Sequence, residues 1–429
     1  MPAQANNDAM IDLLKVLRDQ GTITAQNYEL LANAAKADKE SLDAVDTKAE
    51  KAGKSDVKIT TKGKLKVAST DGNWSFQPIG RVMWDAVSAD ADSSDSSDDW
   101  DGTELRRARL GFQGTVYDWG YKFEGDFAKG DTSIKDAYVS YGTKFGDTKA
   151  SVKLGQSHIP FGLNTKISSK YMTFMDRPFF ADTNISPARE SGAVAALAAK
   201  DYRWTASAGV TVGSISGGYT DEDDDGTTLA LRGSFVPYME DKSHLLQIGA
   251  GYMNVSDSDS EFSFSQHLVA HKDHTKIKSD EIAAGDYDGS DAFTLDAMGV
   301  YGSFHAMAEY LDYTADNNAG SDIEIDGYAV EAGYFLTGES LKWKKGYTSG
   351  IKPKSSTGAW QIATRFENLE IDDGNGDDEA QKWTIGLNYY PTQNIRLMLD
   401  YDKVVTWDQN GSDTGQEPSA IKFRAQAKW

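Results

Sequence analysis

Seven arginines share one parity of regularly alternating segments: Arg81, Arg107, Arg109, Arg232, Arg365, Arg396 and Arg424. A guanidinium is a permanently charged planar fork. It grips phosphate or carboxylate at two points and gives up its hydration more readily than an ammonium. Set around a watery passage, such a series would attract anions. A second cluster sits in residues 159–189, IPFGLNTKISSKYMTFMDRPFFADTNISPAR, where Lys166, Ser168, Ser169, Lys170 and Arg177 stand together. Serine hydroxyls beside lysines can replace part of an anion's hydration shell. The arginine parity also carries acids: Asp85, Glu124, Asp126, Asp296, Glu309, Glu331, Glu367 and Asp400. Two readings are therefore open. Either the arginines select anions, or they pair with these acids and only brace the walls.

The elements that must position these residues are strands. From about residue 73 to the C-terminus the chain divides into sixteen alternating segments, most near ten residues, the length of a tilted membrane strand. Successive side chains of a strand point to opposite faces. One face is apolar with aromatics near the ends, as in Trp74, Phe76, Val82 and Trp84, or Ile395, Leu397, Leu399 and Tyr401. The other face is polar and holds the arginines. The closing segment IKFRAQAKW, 421–429, splits the same way. Connections alternate too, with short turns such as DWG, TQN and GS on one side and long acidic loops on the other. This pattern predicts an all-β protein, a sixteen-stranded antiparallel transmembrane β-barrel in the outer membrane of a Gram-negative bacterium. Its apolar face meets lipid and its polar face a water-filled lumen. The segment 159–189 does not alternate and is too rich in large apolar residues for solvent. It either folds inward as a constriction loop or packs on a neighbouring subunit. Small inward residues, Gly155, Gly209, Gly249 and Gly386, are expected to leave open space.

Composition narrows the classes. The 429 residues contain no cysteine, so disulfides, thiolate metal sites and cysteine nucleophiles are excluded. Mean hydropathy is −0.54 and no apolar run is long enough for a membrane helix. The formal net charge of −22 argues against nucleic acid as a partner. Much of the acid lies in runs such as DADSSDSSDDWD (90–101), DEDDDG (221–226) and DDGNGDDE (372–379). DEDDDG starts like a calcium loop, but its twelfth position is Arg232, where a bidentate acid is required. Looser calcium bridging between acidic loops, or to lipopolysaccharide phosphates, stays open, and no other cofactor is expected. The stretch HLVAHKDH sets His267 and His271 at a spacing that would hold a metal on a helix, but it lies in a long predicted loop. No nucleophile elbow, phosphate-binding glycine loop or metalloprotease helix is present, so an enzyme is not expected.

Residues 1–54 read differently from 55–429. Ile11, Leu14, Val16 and Leu17 recur at helical spacing, Gly21 breaks the pattern, and Thr24 suits the N-cap of a second helix. The apolar stripe is thin. It fits either a coiled coil or bundle, or a partly frayed tail.

GRVMWD (80–85), LRRARLGFQG (105–114), DWGYKFEGDF (118–127), KDAYVSY (135–141), LGQSHIPFGLNTKISSK (154–170), LRGSFVPY (231–238), YFLTGE (334–339) and GAWQIATRFENLEI (358–371) together resemble the phosphate-selective porin O and P family. The resemblance implies a homotrimer of sixteen-stranded barrels with an inward constriction loop. It also implies an arginine- and lysine-lined pore for phosphate or polyphosphate. The family's paired arginines fall on Arg106 and Arg107, its first-strand arginine on Arg81, its constriction serines on Ser168 and Ser169, and later strand arginines on Arg232 and Arg365. The chain departs from the family at Gly120, Thr165 and Gln77, where lysines would stand, and at Trp429, where phenylalanine is usual. The resulting expectation is a diffusion porin with an anion preference. The alternatives are a general or cation-leaning porin and a plugged structural barrel. The N-terminal helices are expected in the periplasm, meeting as a trimeric coiled coil.

Overall fold

The computed structural model describes residues 4–52, 56–61, 63–93, 99–130, 132–217, 226–256 and 260–429. Two compact units result. The first contains two helices, α1 (Gln4–Asp19) and α2 (Ala25–Ala52). Gly21, with φ of 73°, ends α1, and the Thr24 hydroxyl accepts the Asn27 N–H at 3.2 Å to cap α2. Ala32 and Ala35 are buried, whereas Met10, Leu13, Val16, Leu30 and Leu31 stay exposed.

The second unit is a closed antiparallel barrel. Its first half comprises β1 (Trp74–Asp90), β2 (Trp100–Val116), β3 (Trp119–Asp126), β4 (Ser133–Phe145), β5 (Thr148–His158), β6 (Arg189–Ala199), β7 (Trp204–Val212) and β8 (Thr227–Asp241). Its second half comprises β9 (His244–Val255), β10 (Tyr287–Tyr301), β11 (Phe304–Asn317), β12 (Ile323–Phe335), β13 (Ala359–Asp372), β14 (Asp378–Tyr390), β15 (Ile395–Gln409) and β16 (Ser419–Lys428). Each strand pairs with the next, and β16 returns to β1 along Arg81↔Lys428 and Asp85↔Arg424. Closure leaves no unpaired edge among these strands, as a hydrocarbon surround demands. At the seam Trp429 exchanges backbone hydrogen bonds with Gly80. A Cβ on Gly80 would lie 2.2 Å from the Trp429 ring, so glycine there makes room for the terminal indole.

Alternation decides the two faces. Leu110, Ile385, Val330 and Leu399 are exposed on the outside, with Trp383, Tyr401, Tyr328 and Trp360 among the flanking aromatics. Their strand neighbours are buried. Two-residue turns at 146–147 and 302–303 use Gly146 (φ 60°) and Gly302 (φ 58°), the positive values tight hairpins require.

Three connections fold into the barrel rather than away from it. Residues 159–188 bury Ile159, Phe161, Phe174, Phe179 and Phe180. Residues 256–286 carry a small hairpin, Ser265–His267 with Lys276–Lys278, and bury Phe262, Phe264 and Leu268. The stretch that could have held a two-histidine metal helix is therefore a hairpin and its turn. The third connection, 336–358, lies at the short-turn end, where a long segment was not expected. Its hairpin, Lys342–Lys344 with Tyr347–Ser349, inserts Trp343 into the interior, 2% exposed. Trp343 donates its ring N–H to Gln247 at 2.9 Å and packs in a cluster with Leu163, Met298, Met307 and Phe335. Apolar loop residues thus find an apolar interior without leaving the barrel.

Candidate functional site

The wall grips the loop 159–188 through charged side chains. Arg365 donates to the Asp176 carbonyl at 3.0 Å, and Arg396 to the Met172 and Thr173 carbonyls at 2.5 and 2.6 Å. Arg424 donates to the Met175 carbonyl at 2.6 Å and forms a two-point pair with Asp85 at 2.7 and 2.6 Å. Carboxylates of the same wall hold the loop as well. Asp400 accepts the Met175 N–H, Glu367 the Phe179 N–H, and Glu309 the N–H groups of Leu163 and Asn164, at the start of a short helical turn, Leu163–Lys166. Arg232 lies 2.6 Å from Asp296. Charge-assisted bonds of this kind contribute roughly 1.5–3 kcal/mol each. Arg232, Arg365, Arg396 and Arg424 therefore face inward, the last three with donors on loop carbonyls or acids and Arg232 in an ion pair with Asp296.

The narrow section lies against β1–β4. Arg81 donates to Ser169 Oγ at 2.7 Å, more distantly to Ser168 Oγ at 3.4 Å, and to Glu124 at 2.7 Å. Arg109 pairs with Asp126 at 2.8 Å and Glu124 at 3.5 Å. Lys122 lies between Asp136 at 2.7 Å and Glu124 at 3.4 Å. The two serines thus face Arg81 rather than the lysines beside them in sequence. Lys166 and Lys170 make no ion pair among the described residues. Burial, then the charge of Arg81, lowers the Lys170 ammonium to about 7. Burial and the charges of Lys153 and Arg232 pull Lys166 well below the ordinary lysine range.

Beyond the constriction, towards the long loops, lies a cavity of about 340 Å³ lined by Arg106, Arg107, Lys135, Arg177, His267 and His271 among others. Two β-bulges build it. Met83 pairs with Arg107 and Trp84 with Leu105, so Arg106 is an extra residue in β2. Glu124 pairs with Asp136 and Gly125 with Ile134, so Lys135 is an extra residue in β4. Strict alternation would aim one of two neighbours outward. A bulge lets both Arg106 and Arg107, and Lys135 beside Asp136, reach the inside. Arg107 and Lys135 make no ion pair among the described residues. The Nε atoms of Arg106 and Arg107 are buried without a hydrogen-bond partner. Arg177 is different, since it donates to the Ile167 carbonyl at 2.8 Å, to the Asn164 carbonyl and to Asp182 at 3.2 Å. Although burial works to raise Asp176, Lys422 and Arg106 hold it well below the usual carboxylate range. Arg177 and Arg107 lower Asp182 against the same opposition.

Sequence reasoning missed Lys135, His267 and His271 in this cavity. It also misread the inward glycines. A Cβ on Gly386 would sit 2.8 Å from Asp400 and 3.0 Å from Phe174, and one on Gly249 2.6 Å from Asp296. These glycines admit neighbouring side chains and the inturned loop, so the space is filled. Of the acidic runs, residues 94–98 and 221–225 lie outside the described residues. In 372–379, Asp372, Asp373 and Asp378 accept backbone N–H groups of turns. Among the described residues no group of three or more His, Asp or Glu could hold a metal ion.

The profile of the family described as phosphate-selective porin O and P matches residues 76–429, the barrel but for the first two residues of its opening strand. The chain belongs to that family. Porin O of Pseudomonas aeruginosa is 28% identical over 403 residues, covering 84% of this porin and 90% of its relative. An uncharacterized protein of Caulobacter vibrioides is 25% identical over 363 residues, covering 80% and 71%. Among solved structures, an anion-selective porin from Comamonas acidovorans superposes with a TM-score of 0.56 at 13% identity, covering 83% of this chain and all of that one. The outer-membrane channel DcaP of Acinetobacter baumannii gives 0.52 at 13% identity, covering 84% and 99%. The molecule is thus an outer-membrane porin, a channel rather than an enzyme.

Proposed function

We propose that this porin conducts small inorganic anions, phosphate among them, through the Arg106–Arg107–Lys135 vestibule and past Arg81, Ser168 and Ser169. One observation carries the reading: lumen carboxylates are engaged while several lumen cations are not. Asp85, Glu124, Asp126, Asp136, Asp296 and Glu367 each pair with a cation, and Glu309 and Asp400 accept backbone N–H groups. Arg107, Lys135, Lys153 and, below about pH 7, Lys170 have no such pair among the described residues, while Lys166, pulled well below the ordinary lysine range by burial, is left out of the balance. The mobile charge facing the water is therefore positive, although the whole chain is acidic, and an anion gains most from it. A cation-leaning pore would need free carboxylates at the narrow section. The test is the reversal potential of the purified porin in a planar bilayer across a potassium chloride gradient, followed by phosphate addition. Anion preference with phosphate block supports the reading, and a cation-selective current overturns it.

The working unit in this proposal is a homotrimer embedded in outer-membrane lipid, its acidic loops beside lipopolysaccharide. The exposed Met10, Leu13, Val16, Leu30 and Leu31 favour α1 and α2 as a periplasmic trimeric coiled coil. Removing residues 1–50 should lower the melting temperature of the trimer. An unchanged value would sink that role.

A further inference from the structure

In the vestibule, one carboxylate stands between two cationic groups. Glu104 Oε2 lies 3.0 Å from His271 Nδ1, while Glu104 Oε1 lies 3.9 Å from Arg106 Nε. The shorter distance is a hydrogen bond and the longer is not. The carboxylate is thus spent on the histidine, and Arg106 Nε is left buried without a hydrogen-bond partner. His271 lies at the turn of the inward hairpin, packed 6.2 Å from the His267 ring. His267 is itself tied to Asp273 at 2.6 Å. From the wall, Arg106, Arg107, Lys135 and Lys382 line the same cavity. From the constriction loop come Asp176, Arg177 and Asp182. The acids of that loop are already engaged, Asp176 with Lys422 at 2.9 Å and Asp182 with Arg177. Glu104 is the carboxylate in this cluster whose allegiance one proton can change.

We propose that His271 and Glu104 act as a proton-operated control on the anion affinity of the vestibule, with Arg106 as the group they release or withdraw. A protonated imidazole makes a charge-assisted bond to Glu104 and neutralises it, leaving Arg106 and Arg107 to a passing anion. A neutral imidazole holds the carboxylate less firmly, and Glu104 turns to Arg106. The vestibule then loses the histidine's charge and part of the arginine's. Imidazole is the side chain whose ordinary titration spans roughly pH 5 to 8, so the control operates in the range a cell surface meets. Anion affinity is high on the acid side and low on the alkaline side. The inference deepens the anion reading above and rests on it.

Inorganic sulfate is the probe, because it stays a dianion throughout this range whereas phosphate itself titrates. Block of chloride current by sulfate is measured on full-length porin in planar bilayers, at about pH 5.5 and about pH 8, either side of the imidazole range. A Lys170→Met background keeps that lysine from contributing. Half-blocking concentration should rise about five-fold between the two, the lower end of couplings between neighbouring sites. His271→Gln should behave at both pH values like the parent at the alkaline one. Glu104→Gln should keep Arg106 released at both values, so its half-blocking concentration at the alkaline pH should stay well below the parent's, with only the histidine's own charge left to move it. Sulfate block that does not change with pH in the parent, or a full pH response surviving in both variants, overturns the proposal and leaves the anion reading standing. Absence of sulfate block at both pH values overturns the proposal, and a cation-selective current overturns the anion reading with it.

Discussion

Two sets of arginines face the inside of this barrel, and they are not doing the same thing. Arg365, Arg396 and Arg424, on β13, β15 and β16, spend their donors on the backbone of the inturned loop and on buried acids. Arg106 and Arg107, on β2, project from a bulge into a polar cavity. Arg365 and Arg396 share with them a buried unpartnered Nε, but among the described residues Arg106 and Arg107 place no terminal guanidinium nitrogen on an acceptor either. The first set is structural by its bonds and the second is available by its lack of them. A cation pointing into a pore is therefore not by that fact a contact for what passes through. What decides is whether nearby oxygen atoms already take up its hydrogens.

The comparison can be broken most decisively from the clamped side. Trp343→Ala removes the buried anchor of 336–358 and should cost about 3–5 kcal/mol of that loop's seating. Larger single-channel conductance and rapid cleavage within 336–358 by added protease would report it. Arg424→Ala leaves Asp85 unpaired in the interior and should cost a similar, slightly smaller amount, about 3 kcal/mol. Thermal loss of β-sheet signal checks it. Arg107→Ala sharpens the contrast, since unfolding should shift by no more than about 0.5 kcal/mol. Phosphate block should weaken about ten-fold, equivalent to roughly 1.4 kcal/mol of lost binding. If Arg107→Ala melts the barrel and Arg424→Ala only alters block, the division is wrong. The smallest effect belongs to Lys170. Burial puts it at about 7, so it is charged below that value and neutral above it. Chloride preference should fall modestly from about pH 6 to about pH 8, and Lys170→Met should reduce that fall, leaving the part that His271 and Glu104 carry.

The strands were legible because alternation over ten residues is a direct imprint of a wall between lipid and water. Ile395, Leu397, Leu399 and Tyr401 against Arg396, Met398, Asp400 and Asp402 leave little choice of face. The constriction loop was legible for a related reason: Phe161, Phe174, Phe179 and Phe180 cannot sit in solvent together. The same reasoning applies to Leu341, Trp343, Tyr347 and Ile351, but the regularity of the short turns elsewhere on that side hid it. The vestibule was harder. Alternation assigns Arg107 inward and Arg106 outward, and Lys135 outward beside Asp136, yet an outward charge at that level would face lipid. Two adjacent charges within a membrane strand are the readable trace of a bulge. The partners of Arg365, Arg396 and Arg424 had no local trace, because they lie across the barrel on a loop far away in sequence.

The seam between β1 and β16 has a consequence in time. Arg424 belongs to the last strand made, its carboxylate partner Asp85 to the first, and its carbonyl partner Met175 to the loop that narrows the passage. The edge of the opening strand is left unpaired until the sixteenth strand meets it. Closing the wall and seating the loop are thereby coupled, because one guanidinium bonds to both. A chain without the sixteenth strand therefore has an open sheet edge and lacks one of the bonds that seat the constriction loop.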